Sequence, residues 1–98
     1  MITLKEIKER LVEHRSELHE KFHVSSIGIF GSFARGEETA LSDVDVLVAF
    51  DAPMGWEIVD LQEYLEGLLG VKVGLVTDNA ARAKPQLWRI IEKELISV

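Results

Sequence analysis

Gly31-Ser32, then ten residues, then Asp43-Val44-Asp45: this run, GSFARGEETALSDVDVLV from residue 31 to 48, holds the residue types and spacing that could do chemistry. In a strand, side chains alternate between faces, so Asp43 and Asp45 share one face with Cβ atoms roughly 7 Å apart at ~3.3 Å rise per residue. Two carboxylates so placed can share a hard cation, because Mg²⁺ takes one or two protein carboxylates and completes its shell with water and phosphate oxygens. The Gly-Ser pair supplies the complementary half. If Phe33-Ala34-Arg35 opens a short helix, its first free N–H groups and the Ser32 hydroxyl form an anion site, and Gly31 lets phosphate approach the backbone. Taken singly, a Gly-Ser is commonly a plain turn and an Asp-x-Asp an exposed strand start. Together they point to a nucleoside triphosphate held against Mg²⁺.

Two other phosphate motifs fail on residue type. Gly31 and Gly36 have the glycine spacing of a P-loop, but Glu37 and Glu38 stand where that loop needs Lys and Ser or Thr. Gly28 and Gly31 have the wrong spacing for a dinucleotide fingerprint, and no acidic residue follows a second strand at the required distance.

The elements that must position this stretch can be read from the chain around it. Ser26 to Phe30 ends a β-rich run over residues 24–30, which stops at Gly31. Val44, Val46, Val48 and Phe50 alternate with Asp43, Asp45, Leu47 and Ala49 in a second strand, and Asp51-Ala52-Pro53-Met54-Gly55 breaks the chain after it. Glu37 to Ser42 is a polar loop between the two. Ahead of them, residues 3–22 read as one helix, with Thr3 and Glu6 at capping-box spacing and Leu4, Ile7, Leu11, Leu18 and Phe22 as its apolar stripe. His14, His19 and His23 lie in or just after this helix; His19 and His23 are four apart and could chelate a metal, or they are ordinary surface histidines. Trp56 to Leu69 is the next helix, with Ile58, Val59, Leu61, Leu65, Leu68 and Leu69 on its apolar face and Gly70 ending it. Val71 to Val76 is a third strand, with Val71, Val73 and Leu75 toward the core and Lys72, Gly74 and Val76 on the other face, the side of Asp43 and Asp45. Pro85 opens a last helix carrying Leu87, Trp88, Ile91 and Leu95. The expected architecture is α/β: a short sheet of about three strands flanked by helices. Both tryptophans are expected on buried helix faces; exposure of either would mark a partner surface.

Composition narrows the function classes. Ninety-eight residues make one expected domain, 1–98, too small for a catalytic domain plus a separate base-recognition domain. A formal charge of −6 disfavours duplex nucleic acid, which calls for a basic patch, and suits a basic protein partner. No cysteine is present, so there is no disulfide framework and no thiolate zinc site. Without a signal peptide or a long apolar span, the expectation is a soluble, cytoplasmic protein with no membrane association.

Gly31-Ser32, ten residues, Asp43-Val44-Asp45 resembles the signature of the DNA polymerase β-like nucleotidyltransferase superfamily. With Arg35-Gly36-Glu37 after the Gly-Ser, Ser42 before the first Asp, and little chain beyond that core, the sequence resembles the minimal nucleotidyltransferases encoded beside HEPN-domain proteins in prokaryotes. The resemblance implies a mixed sheet, a triphosphate of ATP or another NTP held by Gly31 and Ser32, and Mg²⁺, as two ions, on Asp43 and Asp45 as the catalytic pair. Arg35 then either meets phosphate or is a solvated surface arginine. The implied reaction is attack of an acceptor hydroxyl on the α-phosphate with pyrophosphate leaving, the acceptor being a HEPN toxin that AMP silences. The sequence departs from the family pattern where a third carboxylate is usual in strand three: Val73-Gly74-Leu75-Val76 has none. Asp78, Glu57 and Glu38 are the candidates to replace it, with nothing in the sequence favouring one. Phe33 is a second departure, where many relatives carry a basic residue. The alternatives are a weakened relative that binds Mg·NTP, or neutralises its HEPN partner by contact alone, and transfer to a small molecule.

Overall fold

The computed structural model describes residues 1–98. The chain runs α1 (Leu4–Glu13), α2 (Arg15–Phe22), β1 (Val24–Phe30), α3 (Ser32–Arg35), β2 (Val44–Phe50), α4 (Glu57–Leu69), β3 (Val73–Thr77), α5 (Asp78–Arg82), α6 (Pro85–Glu94) and β4 (Ile96–Ser97). The strands form one mixed sheet in the order β3-β2-β1-β4. β1 is antiparallel to both β2 and β4, and β2 is parallel to β3.

The period of two divides the sheet residues between two layers. Ile27, Ile29, Val44, Val46, Val48 and Val73 face α1, α2 and α4, where Ile7, Leu11, Leu18, Leu61, Leu65 and Leu69 close the main core. Leu47 faces the other way, onto Ala81 of α5 and Ile91 of α6, with Phe30 and Val76 at the margin. Burying each such aliphatic side chain stabilises the fold by ~1.5–3 kcal/mol, so the sheet is held from both sides. Across the chain, Arg10 Nη1 donates to the Leu68 carbonyl at 3.1 Å, tying α1 to the end of α4. At the outer edge of the sheet, Gln62 Nε2 donates to the Val73 carbonyl at 2.8 Å and the Val73 N–H donates to Glu66 at 3.0 Å. Side chains of α4 thus occupy groups that an open edge would offer to another strand.

Several expectations from the sequence need correction. The single helix over 3–22 is two helices meeting at His14, whose φ of −105° and ψ of 12° leave the helical region. The apolar stripe skips from Leu11 to Leu18, so nothing at positions 14 or 15 is buried to hold a straight helix, and His14 Nδ1 instead bonds the Arg10 carbonyl at 2.8 Å. The expected capping box is present, with Glu6 N–H donating to Thr3 Oγ1 at 3.1 Å and Thr3 N–H to Glu6 at 3.2 Å. The sheet has four strands, not three: Ile96–Ser97 pairs with β1 through Gly28↔Ser97 and Ile29↔Ile96. A short helix, α5, follows β3 directly, with the Thr77 hydroxyl accepting from Ala80 N–H at 3.2 Å. Val59, placed on the apolar face of α4, is 50% exposed.

Candidate functional site

The site forms where β1 ends, α3 begins, and β2 starts. Phe30 and Asp45 are partners in the β1–β2 register, so the last residue of β1 delivers Gly31 directly beside the first carboxylate inside β2. Gly31 has φ 78° and ψ −155°, a conformation essentially restricted to glycine. A Cβ built there would run into Asp45 Oδ2 and lie 3.0 Å from Asp45 Cγ. The bare glycine is what lets the carboxylate lie over the turn. Phe33, in place of a basic residue, is 1% exposed within the main core and anchors α3 beneath the site.

On its other flank Asp45 is register partner to Gly74 of β3, and a Cβ at Gly74 would stand 2.8 Å from Asp45 Oδ1. The expected face is therefore correct: position 74 points to the side of Asp45, and the Asp45 carboxylate leans over the space that a side chain would occupy. Asp43 stands exposed just before β2. Burial, reinforced by the Asp43 and Glu94 charges, pushes the Asp45 carboxyl above the ordinary Asp range, and Arg35 opposes that rise. An acid whose charge is disfavoured in this way gains most from a cation. No three or more His, Asp or Glu side chains are grouped to hold a metal ion by themselves. The donor set fits Mg²⁺ nonetheless, since Asp43 and Asp45 supply the one or two carboxylates it requires and phosphate oxygens supply further ligands.

Arg35 reaches the turn but is engaged twice. Its Nε donates to Glu37 Oε1 at 2.6 Å and its Nη1 to Glu94 Oε2 at 2.7 Å, and both carboxylates raise its pKa. Glu94 was invisible to sequence reasoning as a site residue. It ends α6, three residues after Ile91 on the apolar stripe, and its carboxylate also accepts the Gly31 N–H at 2.8 Å. An acidic residue at the margin of a helix's buried face was the one available signal. Of the three carboxylates the sequence offers as a third one, two are engaged elsewhere: Asp78 pairs with Arg82 at 3.0 Å, and Glu57 accepts from Gly55 N–H at 3.0 Å. Glu38, in the loop between the turn and β2, buries Oε2 without a partner.

The remaining candidates lie apart from this chemistry. His19 Nε2 and His23 Nδ1 flank the Asp51 carboxylate at 2.8 and 3.5 Å, which makes the pair a link between α2 and the end of β2. Trp88 is half-buried with the Arg82 guanidinium 4.3 Å from its ring centre. Trp56, expected to be buried, is 89% exposed at the head of α4 because it precedes the helix's first turn and projects off its packed face. No helix is long and apolar enough to cross a membrane.

A family model described as a nucleotidyltransferase domain matches residues 6–98. The protein adenylyltransferase MntA of Thermococcus cleftensis is 46% identical over 84 residues, which are 85% of this chain and 85% of that protein. Among solved structures, a candidate minimal nucleotidyltransferase superposes with a TM-score of 0.80 at 32% identity, covering 99% of this chain and 97% of that one. A chain from the complex of a tri-AMPylated Shewanella oneidensis HEPN toxin with its MNT antitoxin superposes with a TM-score of 0.65 at 17% identity, over 93% of this chain and 70% of that one, a likeness of fold.

Proposed function

The chain belongs to the nucleotidyltransferase domain family, as a minimal member related to MntA-type proteins, and from that premise we propose that it transfers AMP from ATP to a hydroxyl of a HEPN-domain partner. The observation that carries this reading is the Phe30↔Asp45 register, which brings a metal-type carboxylate pair onto the glycine turn that opens α3. Asp43 and Asp45 would hold Mg²⁺, which when bound neutralises phosphate charge and stabilises the in-line displacement. Gly31 keeps side-chain bulk out of the turn, the Ser32 hydroxyl and the N–H groups after it donate to phosphate oxygens, and Arg35 directs its unused N–H groups toward the same anion. The acceptor oxygen bonds the α-phosphorus as the bond to pyrophosphate breaks, and the hydroxyl proton is lost to solvent. The name of the Thermococcus relative, a protein adenylyltransferase, supports a protein acceptor, and the fold shared with the MNT antitoxin complex supports a HEPN partner. The exposed Trp56 on an acidic chain supports a contact surface for that partner.

A second reading, neutralisation by binding without transfer, is favoured by one feature: β3 carries Gly74, with no carboxylate, at the position paired with Asp45. Incubation with ATP labelled at the α-phosphate, Mg²⁺ and the nearby-encoded HEPN protein separates the two. Transfer predicts label on the partner from the native chain and none from Asp43→Asn/Asp45→Asn, which still folds. Stoichiometric inhibition of the partner with no label would favour the second reading.

A further inference from the structure

Glu94 is 63 residues from Gly31 in the chain and shares one oxygen between the two groups that define the phosphate side of the site. Its Oε2 accepts from Gly31 N–H at 2.8 Å and from Arg35 Nη1 at 2.7 Å. The side chain is 11% exposed, in contrast to Arg35 at 46% and Glu37 at 64%. Resting on the nucleotidyl-transfer reading, we propose that Glu94 is a positioning residue: it locks the Gly31 turn and sets the angle at which Arg35 meets the β- and γ-phosphates of the nucleotide.

The placement follows from packing. Ile91 of α6 is fully buried against Leu47 and Ala81, and Asp45 precedes Leu47 by two residues on the same face. Three residues beyond Ile91 the helix has advanced ~4.5 Å, at 1.5 Å per residue, which sets Glu94 over the end of the sheet where Asp45 and Gly31 lie. The helix is pinned at both ends of this reach. Two residues after Glu94 the chain enters β4, and Leu95 fills the space over Gly28, where a Cβ would come within 2.7 Å of Leu95 Cδ1. The backbone at Glu94 therefore cannot shift without disturbing the β1–β4 pairing and the α6 contact together, and its side chain is held by the two hydrogen bonds it accepts.

The alternative role for an anion at this point is a plug that triphosphate must expel. Burial argues against it, because expulsion would leave a desolvated carboxylate without donors, and the Gly31 N–H and Arg35 are its only ones. The donor arithmetic is consistent with a latch. Guanidinium carries five N–H groups; Glu37 and Glu94 take one each, and three remain for phosphate. Held by two carboxylates, the fork has its orientation set before the nucleotide arrives, which is the advantage of a preorganised donor.

The test measures binding of MgATP and of AMP by calorimetry to the native chain, Glu94→Gln, Arg35→Gln and the double variant, with thermal midpoints of each. Glu94→Gln keeps an acceptor for Gly31 N–H but loses the charge that holds Arg35. The expected result is at least a tenfold loss of MgATP affinity for Glu94→Gln, with AMP affinity unchanged, and no further loss when it is added to Arg35→Gln. Equal or tighter MgATP binding by Glu94→Gln would overturn the latch and identify a plug; parallel loss of ATP and AMP together with a lowered midpoint would overturn it in favour of fold support alone. Should Glu94→Gln not fold, Arg35→Gln decides: unchanged MgATP affinity there leaves Glu94 nothing to position. A native chain that binds no MgATP refutes the nucleotidyl-transfer reading itself, and the proposal with it, whereas a native chain that binds normally beside indifferent variants refutes only the proposal.

Discussion

Replacing Gly31 with Ala should damage stability and metal binding together, and by separable mechanisms. The backbone at φ 78° and ψ −155° lies in a region that side-chain-bearing residues enter at a cost of about 1–3 kcal/mol. For a domain of this size each kcal/mol is worth roughly 4–8 °C, so the midpoint of thermal unfolding should fall on the order of 10 °C. The second effect is steric. The new Cβ would meet the Asp45 carboxylate, with Cγ only 3.0 Å away, so the carboxylate must swing off the turn and away from its place beside Asp43. Mg²⁺-dependent ATP binding should then be lost even at temperatures where the variant is folded. Circular dichroism melts and calorimetric titration, each repeated in an Asp45→Ala background, resolve the two parts. Without the carboxylate the clash disappears and the backbone strain remains, so Gly31→Ala should cost less there, by a coupling of about 0.5–3 kcal/mol. Equal cost in both backgrounds, or an unchanged midpoint with normal ATP binding, would refute the reasoning that Gly31 exists to seat Asp45.

Three further outcomes follow from the same geometry. Asp45 binds its proton more tightly in the folded state, so stability should fall as pH rises from the ordinary value of 3.8 through the raised one, and the penalty should persist at neutral pH. Asp45→Asn should accordingly raise the midpoint of the metal-free protein at pH 7, and a destabilised variant would show that the carboxylate is held by contacts worth more than its desolvation. Gly74→Asp places a carboxylate on the face of Asp45, whose Oδ1 must shift from 2.8 Å to admit the new Cβ; a third carboxylate serving as ligand or base should raise the rate of AMP transfer by roughly 10²- to 10⁴-fold, and a native rate already as fast would remove the case for it. Trp56→Ala deletes an 89% exposed indole and should weaken association with the HEPN partner by ~2 kcal/mol, about 30-fold in Kd, if Trp56 is a central contact, while unfolding is unchanged. Undiminished binding in a pull-down titration would place the partner elsewhere.

The sequence made the site's strands legible because its signals there are local. β1 falls on the run 24–30 that stops at Gly31, and β2 on Val44–Phe50, one residue inside the alternation that begins at Asp43. Gly70 closes α4 in the left-handed conformation, at φ 71°. The same localness explains the misses. His14 interrupts a helix whose capping box and first stripe read as continuous, since a gap in burial shows only once a neighbour is absent. Two residues of β4 carry no period, and they are extended because β1 offers an edge to pair with. Trp56 is apolar in type and exposed in fact, which no spacing rule registers at a helix boundary.

What the sequence by itself determined is which residue types stand close together: a glycine turn, an acidic pair at the head of a strand, and a glycine at position 74 are properties of residue type and of separations along a short stretch of chain. What only the tertiary structure decided is how those parts meet. A loop of 13 residues between β1 and β2 leaves their register open, and it is the burial of Ile27, Ile29, Val46 and Val48 in one core that sets Phe30 opposite Asp45. Likewise nothing near Gly31 announces Glu94, because the contact depends on Ile91 docking against Leu47 from the far end of the chain. Long-range packing, in which each element's position is set by surfaces distant in sequence, is the physical reason that the carboxylate holding the turn could be found only in the folded molecule.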